Sequence, residues 1–337
     1  MIVGVPKELK NGERRVGMDP KHAKLLAAEL GVAVVVELGA GVGAGWRDED
    51  YLKAGAYVVV GHGAVYGLSD LIVKVKEVLR EEYPLVRNGQ AIAGYFHLPA
   101  NPDLQRLIAD KHLKTLVYED IEAPLLNESG QPVKDKNGRT IMCRPALAPM
   151  SVIAGEAAAN KSFNYLSLRR GNFDPLNVKA LVIGRGTVGL AAARTLIERG
   201  LRPKNVTILD SDPTRVNSNS EYTEGVCEPQ TVALVVATAD IIIGAAASRK
   251  KEAPKVITRA MLGTMPVGGV LADVAVDEGG ISETTRATSH SDPTYVECGV
   301  LHYCVTNIPG AYPQRATRDL SAAAYPYILE FIRSNHW

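Results

Sequence analysis

Short apolar runs and longer stretches with apolar residues three and four apart take turns along this chain. Over residues 1–120, IVGVP gives way to PKHAKLLAAELG, VAVVVE to DEDYLKAG, and YVVV, DLIVKV, AIAGYFH and TLVYED follow, with NPDLQRLIADKHL between the last two. The runs have the length and β-branched content of buried strands, and the periodic segments that of amphipathic helices. Such alternation predicts a largely parallel sheet wound on both faces. Ligands of these sheets gather outside the carboxyl ends of the strands. One edge would therefore carry Arg15, in the polar loop after the first run, Lys76, closing DLIVKVK, and His97, closing AIAGYFH. Lys74 and Lys76 stand at strand spacing, which predicts one face for both.

Between Glu119 and Ala148 the chain turns polar and glycine-rich (LLNESGQPVKDKNGRT), as an exposed hairpin or a linker would. A long helical pattern, MSVIAGEAAANKSFNYLSL, leads into NVKALVIGRGTVGLAAARTLIERG, which reads as strand, tight turn and helix. Three glycines at this spacing have separate uses. Gly184 allows a sharp turn, Gly186 lets backbone approach a pyrophosphate, and Gly189 lets helix pack close to strand. A pyrophosphate would then lie at the helix N-terminus, beside Thr187 and Val188. The next strand, 206–209, ends in Asp210, somewhat beyond the usual ~20-residue spacing, because LRPK lengthens the return. An acid there accepts hydrogen bonds from a ribose 2′-hydroxyl and repels a 2′-phosphate, which favours NAD over NADP, with Arg215 close enough in sequence to bear on the choice.

Beyond Asp210 come the strand-like ADIIIGAAA, a helix around ITRAML, and GGVLADVAV, expected to deliver Asp277 at its carboxyl end before Gly279 and Gly280. HYCVTN is expected to end at Asn307, and RATRDLSAAAYPYILEFI to close the chain as a helix. The predicted architecture is α/β, with two doubly wound Rossmann-like domains and a cleft between them. The first, for substrate and catalysis, takes residues 1–140 plus 312–337; the second, for NAD, takes 141–311.

Composition narrows the function. With 337 residues, 46% apolar, 22% charged and a net charge of +1, the chain has no field to draw in nucleic acid or an anionic membrane surface. No uninterrupted apolar run reaches the ~18 residues of a bilayer span, and MIVGVPKELK lacks the order of a signal peptide. A cytoplasmic location is expected. Cys143, Cys227, Cys298 and Cys304 are scattered, so neither a disulfide framework nor a metal site is expected.

An NAD cleft facing a cationic edge suggests hydride transfer on a small anion. The planar fork of Arg15 suits a carboxylate, Lys76 can polarise a carbonyl oxygen, His97 can exchange a proton with it, and Asp277 can orient water or take a proton. Each also has a plainer reading: a surface arginine, a solvated edge, a satisfied strand-end histidine, and a turn acid before glycine.

GVPKELKNGERRVGMDP, ELGAGVGAGWRDEDYLKAGA, DLIVKVKE and GYFHL, then LAPMSVIAG, VIGRGTVG, ADIIIGA, DVAVDEGG and YCVTNIPGAYP, resemble in order nearly the whole length of the alanine dehydrogenases. The related α subunit of nicotinamide nucleotide transhydrogenase shares the pattern. The resemblance implies NAD-dependent interconversion of an L-amino acid with its 2-oxo acid plus ammonia, by a homo-oligomer. It also implies that Arg15 and Lys76 hold the carboxylate and the oxo oxygen, and that His97 and Asp277 are catalytic. Ser151, the Gly184 turn and Asp210 join the cofactor site, with Asn307 near the nicotinamide. The chain departs from the family in five places: GMD at 17–19, the long polar stretch over 121–146, SLRRGNFDPLN where a glycine-rich segment precedes the cofactor strand, ASRKKEAP after ADIIIGA, and an end at Trp337. Rival readings are a saccharopine-dehydrogenase-like enzyme joining an amino acid to an oxo acid, a transhydrogenase-type subunit, and a non-catalytic NAD-binding regulator.

Overall fold

A computed structural model describes residues 1–127, 129–134, 138–246 and 253–334. Glu128 and 135–137 in the polar stretch, most of ASRKKEAP (247–252), and Trp337 lie outside the described residues. The chain divides into two compact units, Met1–Met150 with Tyr312–Trp337, and Ser151–Ala311. The first boundary falls at 150 rather than 140.

In the first unit, β1 (Ile2–Val5), α1 (Pro20–Leu30), β2 (Ala33–Glu37), α2 (Asp48–Lys53), β3 (Tyr57–Val59), α3 (His62–Leu68), β4 (Leu71–Val73), β5 (Ala91–Gly94), α4 (Pro102–Asp110) and β6 (Lys114–Val117) follow in order. The strands form one six-stranded sheet in the order β3-β2-β1-β4-β5-β6, with every pair parallel. The order reverses between β1 and β4, and their carboxyl ends flank that switch point. The departure at 17–19 belongs to the fold here. Met18 is 1% exposed, and its carbonyl accepts from Tyr51 Oη at 2.8 Å. Asp19 caps α1 through the His22 N–H. A Cβ on Gly17 would stand 2.1 Å from the Val73 carbonyl oxygen, so the loop after β1 passes directly over the end of β4.

The polar stretch is a hairpin: β7 (Ala123–Pro124) pairs antiparallel with β8 (Met142–Cys143). Its inner turn is fixed by Asn127 Oδ1, which accepts from the Ser129 and Gln131 N–H groups.

The second unit holds α5 (Ala148–Arg170) from Ser151 onward, then β9 (Ala180–Ile183), α6 (Thr187–Glu198), β10 (Val206–Asp210), β11 (Thr223–Val226), α7 (Pro229–Val236), β12 (Ile241–Gly244), α8 (Arg259–Leu262), β13 (Val270–Asp273), β14 (Thr294–Glu297) and β15 (Val300–Tyr303). The strand order is β11-β10-β9-β12-β13-β15-β14. Only the β14–β15 pair is antiparallel. Strands covered on both faces read as nearly continuous apolar runs, and their apolar residues sort accordingly. Ala180, Val182, Ile208, Ile241, Ile243, Val270 and Ala272 enter one apolar cluster, and Leu181, Ile183, Leu209, Ile242 and Leu271 the other. The last helix, α9 (Pro313–Ser334), returns to the first unit. There Thr317 and Ser321 accept the N–H groups of Val16 and Asp19. Among the described residues no helix is long and apolar enough to cross a membrane.

Candidate active site

In the first unit, the three cationic candidates follow β1, β4 and β5, neighbours in the sheet. Arg15 is 3% exposed. Glu13, two residues earlier, grips it at two points, Nε to Oε1 at 2.7 Å and Nη2 to Oε2 at 2.5 Å, and also accepts the Arg15 backbone N–H. A bidentate pair of this kind fixes the plane of the guanidinium. Burial opposes the charge on Glu13, but the hydrogen bonds and charge of Arg15 outweigh it and lower its pKa to about 2. The Met150 sulfur stands 3.2 Å from Nη1.

Strand β4 stops at Val73, so the alternation that would give Lys74 and Lys76 one face ends before either. Lys74 is fully buried, 2.5 Å from Glu82 Oε1 and 3.7 Å from Glu8 Oε2. Lys76 is half-buried. Burial, then the charge of Arg15, lower its pKa below that of an ordinary lysine, while Glu13 works the other way. Glu8 holds this backbone, accepting the Val75 N–H at 2.6 Å and the Lys76 N–H at 3.4 Å.

His97 is exposed and adopts the left-handed conformation, φ 47° and ψ 47°. A non-glycine residue persists there only when its surroundings hold it. Glu119, at the end of β6, does so by accepting the N–H groups of Phe96 and His97, with its Oε1 3.9 Å from His97 Nδ1. Tyr95 beside it is buried and donates to the Ala146 carbonyl.

In the second unit the three glycines of the turn have different surroundings. Gly184 has φ 104°, and a Cβ there would meet the Ala245 carbonyl at 2.6 Å, across the switch point between β9 and β12. A Cβ on Gly189 would meet the Gly184 carbonyl oxygen at 1.9 Å. A Cβ on Gly186 would meet nothing within 4 Å. Gly186 is also the N-cap of α6 and brings no side chain to its first N–H groups. Backbone donors at a helix start beside open space fit a pyrophosphate. Thr187 is exposed and Val188 half-buried. Asp210, at the end of β10, accepts the Arg185 N–H at 2.7 Å and the Asp212 N–H at 2.9 Å, with Arg215 Nη1 3.8 Å away. Ser151 lies half-buried in the first turns of α5.

Two strand ends differ from expectation. β13 closes at Asp273, and Asp277 sits beyond it, exposed, in a 3-10 turn over Val274–Glu278. Asp273 is the buried acid, accepting from the Ala275 and Ile281 N–H groups and from Thr285 Oγ1. Those bonds bend the chain after β13 into the turn that presents Asp277. Likewise β15 closes at Tyr303, and Asn307 lies in the following loop with φ 53°. Its carbonyl accepts the Gly310 N–H at 2.9 Å. Sequence reasoning missed Glu8, Glu13, Glu119 and Asp273 because an acid in a polar loop or at a strand end has no distinguishing spacing.

Two doubly wound α/β units, one carrying a glycine-rich strand–turn–helix and the other a cationic switch point, define a dinucleotide-dependent type of architecture. The N-terminal domain model of the alanine dehydrogenase/PNT family matches residues 4–129, and its C-terminal domain model matches 128–337. Alanine dehydrogenase 2 of Staphylococcus aureus (strain N315) is 35% identical over 343 residues, covering 98% of this chain and 87% of that protein. A solved L-alanine dehydrogenase superposes with TM-score 0.84 at 34% identity, over 99% of this chain and 91% of that one. A transhydrogenase from Sinorhizobium meliloti does so with TM-score 0.81 at 25% identity, over 98% and 94%. The chain belongs to the alanine dehydrogenase/PNT family.

Proposed function

We propose that this protein is an NAD-dependent L-amino acid dehydrogenase of the alanine dehydrogenase type, converting L-alanine, NAD and water to pyruvate, ammonia and NADH. The observation that carries the reading is the arrival of Arg15, Lys76 and His97 at the carboxyl ends of three adjacent strands, β1, β4 and β5, in a member of this family. In this reading the first unit binds substrate and the second binds NAD through Gly184, Gly186, Thr187, Val188, Gly189, Ser151 and Asp210, with Asn307 toward the nicotinamide. When bound, NAD supplies the hydride acceptor for the substrate α-hydrogen. Arg15 holds the substrate carboxylate in the orientation Glu13 imposes. Water oriented by Asp277 and His97 adds to the substrate iminium carbon, and His97 takes the proton released. As that adduct collapses, a proton passes to the departing ammonia and the Lys76 ammonium steadies the oxygen of the oxo acid. The same reading makes the protein a cytoplasmic homo-oligomer, which light scattering checks.

Lys76→Ala and His97→Ala test the assignment. Each should reduce turnover of pyruvate with ammonia by 10²-fold or more, the range of general acid–base and electrostatic contributions, while NADH still binds within about twofold. Unchanged turnover in either variant removes that residue from the mechanism.

A further inference from the structure

We propose that Glu13 is a positioning residue of the substrate site: its carboxylate clamps the Arg15 guanidinium at two points and compensates the charge of the Arg15–Lys76 pair, so that both cations are held for a substrate anion. The inference rests on the function proposed above.

Three observations converge on it. Glu13 engages Nε and Nη2 of Arg15 at 2.7 and 2.5 Å and also accepts the Arg15 backbone N–H at 3.0 Å. One carboxylate thus sets both the course of the loop after β1 and the plane of the guanidinium. The side chains of the pair are 0% and 2% exposed, so solvent does not compete for these bonds. Lastly, Arg15 is buried and Lys76 half-buried, and the charge of Arg15 disfavours the Lys76 ammonium. The groups acting on Lys76 are Arg15 and Lys10, which disfavour its ammonium, and Glu13 and Glu77, which favour it, while Glu8 accepts its backbone N–H. Glu77 is itself paired with Lys10 at 2.5 Å. Glu13 is therefore the carboxylate that serves both substrate-facing cations.

Removing its charge should weaken the two-point grip on the Arg15 guanidinium and take from Lys76 a charge that favours its ammonium. The Lys76 ammonium then titrates at lower pH.

The test compares Glu13→Gln and Glu13→Asp with wild type in the full-length protein. Glu13→Gln should raise KM for the 2-oxo acid at least tenfold with a smaller change in kcat, and leave the Kd for NADH within twofold. Glu13→Asp, which restores the charge, should recover much of the loss. A second readout needs no turnover. With lysines reductively methylated using ¹³C-formaldehyde, the Lys76 resonance, identified by its absence in Lys76→Arg, should titrate at lower pH in Glu13→Gln than in wild type, the direction expected for loss of an opposite charge. An unmoved resonance and an unchanged KM in a variant that still binds NADH overturn the proposal. If wild-type protein turns over no oxo acid, the function itself fails; if wild type turns over and Glu13→Gln matches it, only the role of Glu13 fails. A Glu13→Gln chain that does not fold leaves Glu13→Asp to decide: wild-type KM and resonance there support the charge, and a Gln-like loss there refutes it.

Discussion

Gly186 and Gly189 lie three residues apart in one turn, yet the same substitution should affect them in opposite ways. At Gly189 an added Cβ falls 1.9 Å from the Gly184 carbonyl oxygen and 3.1 Å from Val182 Cγ1. Backbone cannot yield as a flexible side chain does, so α6 must lift from β9. Overpacking of this kind costs about 1–3 kcal/mol or more, and each kcal/mol lowers Tm by about 2–4 °C in a domain of this size. At Gly186, φ −84° and ψ −173° suit any residue, and the new methyl meets nothing. Alanine restrains the unfolded chain by about 0.4–1 kcal/mol, and it caps a helix less well than glycine by a similar amount. Stability should therefore stay within about 1 kcal/mol. The methyl does, however, occupy the approach to the first backbone donors of α6. A hydrogen bond to an anion is worth about 1.5–3 kcal/mol, so losing one weakens NADH binding roughly 10- to 150-fold. Thermal melts and NADH fluorescence titrations on both variants separate the two effects. If Gly186→Ala binds NADH as wild type does, the turn does not hold the dinucleotide in the manner argued.

Further outcomes follow from the buried polar groups. His62 bridges Glu37 at 2.7 Å and Glu82 at 2.9 Å, and although burial opposes its charge, these carboxylates raise its pKa from 6.5 to about 9. A raised histidine stabilises the fold fully below about pH 6.5 and loses that contribution as pH rises through about 9. At about 1.4 kcal/mol per pH unit this shift corresponds to at most about 3.5 kcal/mol, which solvent screening of the half-buried side chain reduces. In urea unfolding, wild type should exceed His62→Gln at about pH 6 and approach it above pH 9, and a gap that does not vary with pH contradicts the pairing. Asp273→Ala orphans the Ala275 and Ile281 N–H groups and the Thr285 hydroxyl. It should destabilise the second unit by about 3 kcal/mol or more, with Asp273→Asn less damaging, as denaturant midpoints would register.

The alternation of strands and helices in both units was legible because strands buried on two faces leave nearly continuous apolar runs, and turns between them leave polar ones; the order of the strands in each sheet was not read from the sequence. Two positions of the glycine turn were legible because Gly184 and Gly189 each meet a separate steric demand. Strand ends were not. GGVLADVAV and HYCVTN remain apolar past the points where β13 and β15 close, and DLIVKV keeps its alternation past the close of β4, while the buried carboxylates Glu8 and Asp273 accept backbone N–H groups after β4 and β13. That is why Lys74, expected beside Lys76, is instead the buried partner of Glu82, and why Asp277 stands in a turn and not on a strand. By its place in the sequence, the GMD departure at 17–19 falls two residues after Arg15 and would alter its neighbourhood. Met18 and Asp19 in fact serve the core and the cap of α1, and Gly17 is where the loop crosses Val73.

The most direct test of the account is the oxidation of NADH by the purified protein supplied with a panel of 2-oxo acids, once with ammonium and once with amino acids as the amine. Turnover with pyruvate and ammonium, abolished in Lys76→Ala, is the result predicted. NADH oxidation only with amino-acid amines, or NADH binding without turnover of any oxo acid, would contradict it.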